Sequence, residues 1–409
     1  MKKINKNNAF TILIFLFNCL CLQIRPAEKA VTIVPIADLV GYQLTNNSMT
    51  YNHLPLCGGT YQSDESCPRM HQLLFNEIVD VIGYHGNQAQ IKIHNLYYYT
   101  NNHTKKQATY WTHKNNIWSL SALQNKSIDS DKFPAPISFE SSTQKTPAQK
   151  IVTLYLPFYD PTTKNNYSAG TRFVQTSNSQ TNQTLSVFIF DPQTNNFVTT
   201  SIPQELCISI EQTKPQKKIA LFVKVLKKWA ALSDGFIPYV WGGCSFTQRY
   251  NPEQFKQTIT ETGSFFYYRQ TDNTIPKAGF DCSAIIARAA QIAGIPYFLK
   301  NSATIAQDLA PLTAKEQLQE GDIIWIPGHV MIVSNIKKNM LIEASSYLHG
   351  CGKIQEIPIS TFFYGIKTYK QLISKHIHKQ KVQRINTLTN IPESPLISIK
   401  LLKMDSIWQ

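Results

Sequence analysis

At 409 residues, with 43% hydrophobic and 11% aromatic side chains, the chain is too long for one ordinary domain and too apolar to be largely disordered. A formal net charge of +14 favours polyanions: nucleic acid, acidic lipid or an anionic cell wall. The lysines are scattered among Asn, Gln and Thr, and no run interleaves dense Lys/Arg with aromatics, so no nucleic-acid partner is expected.

The first element is a signal. Lys2, Lys3 and Lys6 precede an apolar run from Ala9 to Phe17 that continues to Leu22, the pattern of a secretory leader over residues 1–30. The run is shorter than the about 20 residues a membrane span needs; the alternative is an uncleaved anchor. Cleavage after Cys21, Ala27 or Ala30 fits equally. Neither Cys19 nor Cys21 follows the small residues of a lipoprotein signal, and no later segment reads as an integral span. The expected location is the periplasm or cell envelope of a bacterium. Beyond the leader stand Cys57, Cys67, Cys207, Cys244, Cys282 and Cys351. Export permits disulfides, and Cys57 with Cys67 is placed to close a loop around Gly58-Gly59. No CxxC and no Cys/His pair has zinc spacing, so neither a metal nor another cofactor is implied.

Residues 31–125 read as mostly strand. Val31–Val34, Leu73–Phe75, Ile78–Ile82 and Gln90–Ile93 alternate or run apolar, with turn residues such as Gly86-Asn87 between them. The pattern predicts a small all-β barrel, and His71 to Asn95 resembles the core of a bacterial SH3 domain, with Tyr110–His113 as its closing stretch. Residues 126–149 are rich in Ser, Lys, Gln, Thr and Pro and read as a linker. Strand signals return at Ile151–Leu156, Thr171–Val174, Leu185–Phe190 and Phe197–Thr200, which predicts a second, more divergent SH3-like barrel over 150–210 or another small β module.

From Lys217 the texture changes. Ile219, Leu221, Phe222, Val225, Leu226 and Trp229 fall at helical spacing, with Lys224, Lys227 and Lys228 opposite. A second helix runs from Ala284 to Ala293. Compact strands follow at Ile323–Ile326, Val330–Val333 and Leu341–Ile342. The third unit is α+β over 217–370; residues 371–409 are basic and irregular and read as a tail.

A cysteine nucleophile needs a depressed pKa, a nearby base and a partner that orients the base. Asp281 is a good N-cap and Gly294 a good helix stop, which puts Cys282 in the first turn, where free N–H groups favour a thiolate. Among the ten histidines, His329 alone opens a strand in the same unit, directly after the turn Pro327-Gly328. Its bland alternative is a hydrogen-bonded turn histidine. Glu343 lies in an otherwise apolar strand, Met340–Ala344, where a lone acid is costly to bury unless paired. A hairpin between these strands lets it hold the imidazole tautomer as a triad acid does; otherwise it points to solvent. His349, Asn335 and Ser345 are weaker candidates for that role.

The order Tyr239-Val-Trp-Gly-Gly243, Phe280-Asp-Cys-Ser283, Gly321-Asp322 and Gly328-His-Val330 resembles the NlpC/P60 peptidases over residues 219–369. The resemblance implies a papain-like domain that follows two SH3-like barrels and hydrolyses the bond between γ-D-glutamyl and a diamino acid in peptidoglycan stem peptides or muropeptides. It makes Cys282 the nucleophile and His329 the general base, with Glu343 at the third polar position, commonly a His. It further implies that Asp281 and Ser283 bind a substrate α-amine and that Tyr239 helps hold the oxyanion. Three features depart from the family pattern. A long insertion separates Gly243 from Asp281, and is expected to form a lid or an extra wall; Ala284 replaces a usual Gly; Glu343 replaces the usual His. Cys244 or Cys351 beside Cys282 would threaten the nucleophile with a disulfide. An amidase or acyltransferase on the same pair, or a non-catalytic wall-binding protein, are the alternative readings.

Overall fold

The computed structural model describes residues 28–45, 54, 67–99, 105–137, 149–181, 183–209, 214–232, 236–247, 255–260, 263–268, 277–346, 352–386 and 389–409. Most of the expected signal, Cys57, His349, Cys351 and the middle of the 126–149 linker lie outside the described residues.

The first unit is an antiparallel sheet of seven strands: β1 (Glu28–Thr32), β2 (Ile36–Val40), β3 (Arg69–Leu74), β4 (Ile78–His85), β5 (Gln88–Tyr99), β6 (Lys105–His113) and β7 (Ile117–Ser119). Val79 and Val81 on β4 face the core with Ala89 and Ile91 on β5, because strand side chains alternate with period two. Glu28, Lys29 and Ala30 pair with Val81, Asp80 and Val79, and Ala30 is buried. These three residues, placed in the leader by sequence, therefore belong to the sheet.

The second unit follows helix α1 (Leu120–Asn125), which Ser119 caps by accepting from the Ala122 amide. It comprises β8 (Ile151–Leu154), β9 (Phe158–Asp160), β10 (Asn165–Tyr167), β11 (Arg172–Thr181), β12 (Thr184–Asp191), β13 (Asn196–Pro203) and β14 (Cys207–Ser209). Five of them form a sheet in the order β13-β12-β11-β8-β14, and β9 pairs with β10 alone. The first sheet ends at β3 and β7, and among the described residues neither sheet closes into a barrel. The expected β units are present; the expected barrel closure is not seen. The two units share a core, in which Val31 and Phe75 join Phe133, Phe173 and Phe190. Phe133, from the stretch read as linker, is thus a core residue.

The third unit packs α2 (Pro215–Ala230) and α3 (Cys282–Ile292) on a five-stranded antiparallel sheet. Ile219, Phe222, Leu226 and Trp229 form the buried face of α2, as their spacing predicts, with Trp229 stacked on Phe280. The small side chains of Ala284, Ala287 and Ala290 bring α3 close against the sheet. Between these helices lie β15 (Cys244–Ser245), a hairpin of β16 (Phe255–Thr260) and β17 (Gly263–Tyr268), and β18 (Gly279–Phe280). The hairpin lies within the insertion. After α4 (Ser302–Asp308) come β19 (Ile323–Ile326), β20 (His329–Asn335), β21 (Met340–Ala344), β22 (Ile354–Pro358), α5 (Ile359–Phe362), α6 (Tyr369–Ile377), β23 (Ile385–Asn386), β24 (Ile391–Pro392) and β25 (Lys400–Leu402).

Residues 371–409 are not a detached tail. β25 pairs with β19 as the fifth strand, in the order β22-β21-β20-β19-β25, with Leu401 and Leu402 buried. Lys403 then forms a buried ion pair with Asp322 at 2.7 Å. A net basic composition hid a strand whose apolar residues are few but well placed.

Buried polar groups join the first unit to the third. Arg69 is fully buried; its Nε donates to Asp38 at 2.8 Å, and its Nη1 donates to the Trp241 carbonyl at 3.3 Å. Gln72 donates to Asp38 and to the Lys277 carbonyl, and accepts from the Cys244 amide and the Ser245 hydroxyl. Gly242 has φ of +66°, and a Cβ there would lie 2.4 Å from the Arg69 carbonyl oxygen, so only glycine permits this approach. On the other side of α3, Arg288 pairs with Glu77 at 2.6 Å. Removing one partner of a buried ion pair costs about 3–5 kcal/mol, because the other charge stays buried. Asp38→Ala is therefore expected to lower the urea-unfolding free energy by about 3 kcal/mol or more. A loss below about 1 kcal/mol would show that Arg69 finds other partners and that the junction does not depend on this pair.

Candidate active site

The nucleophile candidate is placed by a helix cap. One oxygen of Asp281 accepts from the Ser283 amide at 2.9 Å, the Ser283 hydroxyl at 2.8 Å and the Ala284 amide at 2.7 Å. Cys282 is thereby the first residue of α3, as the sequence predicts. β18 delivers it: the Asp281 amide donates to the Gly243 carbonyl, and Val240 donates to Phe280. Tyr239 bridges Phe280 in parallel, donates its amide to the Gly352 carbonyl, and is buried.

The base candidate comes from the hairpin expected between β20 and β21. Gly328 takes φ of +79°, the left-handed conformation that a tight turn requires, and His329 opens β20. Ile332 pairs with Ile342 and Val333 with Leu341, a register that leaves Glu343 level with the start of β20. Glu343 Oε2 lies 2.9 Å from His329 Nε2. Its other oxygen accepts from Gln355 Nε2 at 2.9 Å, supplied by β22. Burial would raise this carboxyl, but the hydrogen bonds from His329 and Gln355 and the charges of His329 and Arg384 outweigh it, so its pKa sits below the ordinary 4.5. The Glu343 contact is made through Nε2, so proton exchange with a thiol would run through Nδ1. The imidazole also lies nearly parallel to the Phe362 ring, with centroids 5.9 Å apart and planes at 10°.

Cys282 and His329 meet because α3 packs on β20. The amide of Val330, the residue after His329, reaches the Cys282 sulfur and favours its ionised form, as does the Cys282 amide at the helix start. These contacts do not win. Burial, helped by the charges of Asp281 and Glu343, pushes the thiol up to about 12. The sequence reading of a thiolate favoured by the helix terminus is therefore corrected. Burial thus favours the thiol form of Cys282.

The structure thus brings Cys282, His329 and Glu343 together, with Asp281 and Ser283 flanking the nucleophile and Tyr239 adjacent. Of the weaker candidates, the two within the described residues lie elsewhere. Asn335 sits at the far end of β20 and accepts from the Lys338 amide, while Ser345 follows β21 with its hydroxyl buried. Cys244 is buried and free, with its sulfur 4.0 Å from the Ala284 carbonyl oxygen, and forms no disulfide with Cys282. Gln355, Phe362 and Arg384 are neighbours of the site that sequence reasoning missed. Gln355 carried a faint signal, as a polar residue in the same apolar hairpin as Glu343. Among the described residues no cluster of His, Cys, Asp or Glu could hold a metal ion, and no helix is long and apolar enough to cross a membrane.

No protein-family model matches the sequence, and neither does any curated protein. Solved structures do. The chain is similar to an NlpC/P60 family protein from Bacillus cereus, with a TM-score of 0.50 and 14% identity over 81% of this chain and 94% of that one. NlpC2 from Trichomonas vaginalis aligns with a TM-score of 0.31 and 12% identity, over 83% of this chain and 95% of that one. The peptidoglycan hydrolase RipB from Mycobacterium tuberculosis aligns with a TM-score of 0.24 and 22% identity, over 37% of this chain and 68% of that one. The first likeness shows the fold: that of an NlpC/P60 family protein with β units attached.

Charge on Glu343 is testable apart from its shape. Glu343→Gln keeps an oxygen acceptor for His329 but removes the charge that steadies an imidazolium. It is expected to slow Cys282 alkylation and any turnover by about two to four orders of magnitude. Because the folded-state pKa is lowered, the stability that Glu343 contributes is complete above 4.5 and is lost as pH falls through the folded value. The wild type should therefore lose more stability than Glu343→Gln as pH falls below about 4.5 in acid titrations followed by circular dichroism. Parallel acid curves for the two proteins would show that the buried carboxylate is not held in its charged form.

Proposed function

We propose that this protein is a cysteine endopeptidase that hydrolyses the γ-D-glutamyl-diamino acid bond of peptidoglycan stem peptides in cell-wall turnover or remodelling. The observation that carries the reading is the 2.9 Å contact of His329 with a fully buried Glu343, beside a cysteine at a helix start. A structural histidine has no need of a desolvated carboxylate, whereas a base that must become an imidazolium gains from one.

The chemistry follows from the geometry. His329 Nδ1 accepts the Cys282 proton while the sulfur attacks the scissile carbonyl carbon. Glu343 stabilises the imidazolium and fixes its tautomer. The amide of Cys282, at the helix terminus, is placed to donate to the oxyanion as it develops, with Tyr239 alongside. The imidazolium returns its proton to the departing amine, the C–N bond breaks, and an acyl-enzyme remains. Water, deprotonated by His329, attacks the thioester and releases the acid and the free thiol.

Substrate selection is assigned to the surroundings. The second oxygen of Asp281, on the side not used for capping, is suited to a substrate α-amine, with Ser283 fixed beside it. The first β unit, read as an SH3-like module, walls one side of the cleft through Arg69 and Gln72, which hold the stretch from Trp241 to Ser245. A walled cleft suits short, soluble muropeptides after export to the envelope.

Reduced protein should release free diaminopimelate from L-Ala-γ-D-Glu-meso-diaminopimelate, as read by mass spectrometry, and Cys282→Ala should release none. N-acetylation of the peptide is expected to reduce turnover by about tenfold or more if Asp281 holds the amine. Absence of cleavage by folded, reduced protein would overturn the stem-peptide assignment and favour an amidase or acyltransferase on the same pair.

A further inference from the structure

The mechanism leaves one buried cation beside the site unused. Arg384 precedes β23, and its backbone bridges Phe363, while its carbonyl accepts from the Glu393 amide at 2.8 Å. The guanidinium carbon lies 4.8 Å from the centroid of the Phe362 ring, the same ring that stacks with His329. Arg384 is 9% exposed. Its Nε is buried and donates no hydrogen bond; the Glu393 carboxylate stands 3.9 Å from it, beyond hydrogen-bond range. Burial works against its charge, and the carboxylates of Glu343, in the site itself, and Glu393 restore it.

A guanidinium offers a rigid fork of donors that matches a carboxylate. Burying one with an unpaired N–H is unfavourable unless something anionic completes it. Here the charge is fixed against an aromatic ring, in contact with the catalytic histidine's own support. Glu393 is too distant to fill the fork at Nε, and Glu343 is already taken by His329 and Gln355.

We propose that Arg384 is a specificity-determining residue that receives a substrate carboxylate next to the scissile carbonyl. The inference rests on the peptidase reading, and it deepens that reading. A glutamyl residue linked through its γ-carbonyl keeps its α-carboxylate free, a few bonds from the carbon that Cys282 attacks. Such a substrate carries an anion where Arg384 supplies a cation, whereas an α-linked peptide carries none there. The C-terminal segment then has a second role besides completing the sheet: it brings the group that separates γ-linked from α-linked substrates.

The test uses two alkylating agents that differ only in charge. Iodoacetate and iodoacetamide both lose iodide as the Cys282 sulfur bonds to their methylene carbon; one carries a carboxylate and the other an amide. The ratio of their rates cancels the thiolate fraction. Rates are read by mass spectrometry of the Cys282 peptide from full-length protein, alongside the melting temperature. The wild-type iodoacetate-to-iodoacetamide ratio is expected to exceed that of Arg384→Gln by about tenfold. Arg384→Lys, which keeps the charge without the fork, should fall between them and covers the case in which Arg384→Gln fails to fold. A second arm compares γ-D-Glu peptides bearing a free α-carboxylate or an α-carboxamide; Arg384→Gln should lose kcat/KM on the acid and keep it on the amide. Equal alkylation ratios in wild type and both variants would overturn the proposal and make Arg384 a support for Phe362. If the ratio depends on Arg384 but neither peptide is cleaved, the carboxylate site stands and the stem-peptide reading falls.

Discussion

A carboxylate with no exposure to solvent has to be paired, and the pairing of Glu343 organises the whole site. It takes one hydrogen bond from His329 on β20 and one from Gln355 on β22, so three adjacent strands must be in register for the charge to be satisfied. The sheet is held from its other edge by β25, and α3 is packed across its face. A slip of one residue on β21 would turn Glu343 to the opposite face and leave both His329 and Gln355 without their partner. The geometry of the site and the sheet register are therefore one constraint expressed twice.

A second buried network sets what surrounds that centre. Arg69, Asp38 and Gln72 are all fully buried between the first β unit and the stretch from Trp241 to Ser245. That stretch leads by backbone hydrogen bonds through Gly243 to Asp281, the cap of α3. The β unit is thus coupled to the cap through a short chain of satisfied polar groups rather than through a greasy, adaptable contact. Polar junctions of this kind hold one relative placement well, because each alternative leaves a charge or amide unpaired.

Local signals in the sequence carried the centre of the site. Asp281 followed by small residues reads as a cap and a close-packing helix; Pro327-Gly328 reads as the turn before His329; a lone Glu343 in an apolar strand reads as a buried pair. Each depends on residues within one hairpin or one helix turn. What was not legible depended on distance. Arg384 lies in a basic stretch where nothing distinguishes it from the solvated lysines around it, and only the return of the chain across α5 brings it to Phe362. Period-two alternation showed the strands of the β units but not their order, because pairing partners and closure are set by long-range contacts. Burial also reversed one local expectation. The helix terminus favours a thiolate, yet desolvation at Cys282 outweighs it.

That reversal ties the triad to the reaction. A cysteine that rested as a thiolate could attack without help, and Glu343 would then serve only to orient an imidazolium already present. On the peptidase reading proposed above, a thiol pushed up to about 12 gives its proton to His329 during attack, and the cation so formed appears in a desolvated place. Glu343 stands where that charge develops, already ionised and already hydrogen-bonded, so it need not reorganise when the proton arrives. Arg384, packed on the Phe362 ring that stacks with His329, draws on the same Glu343 charge, so one buried carboxylate supports both cations.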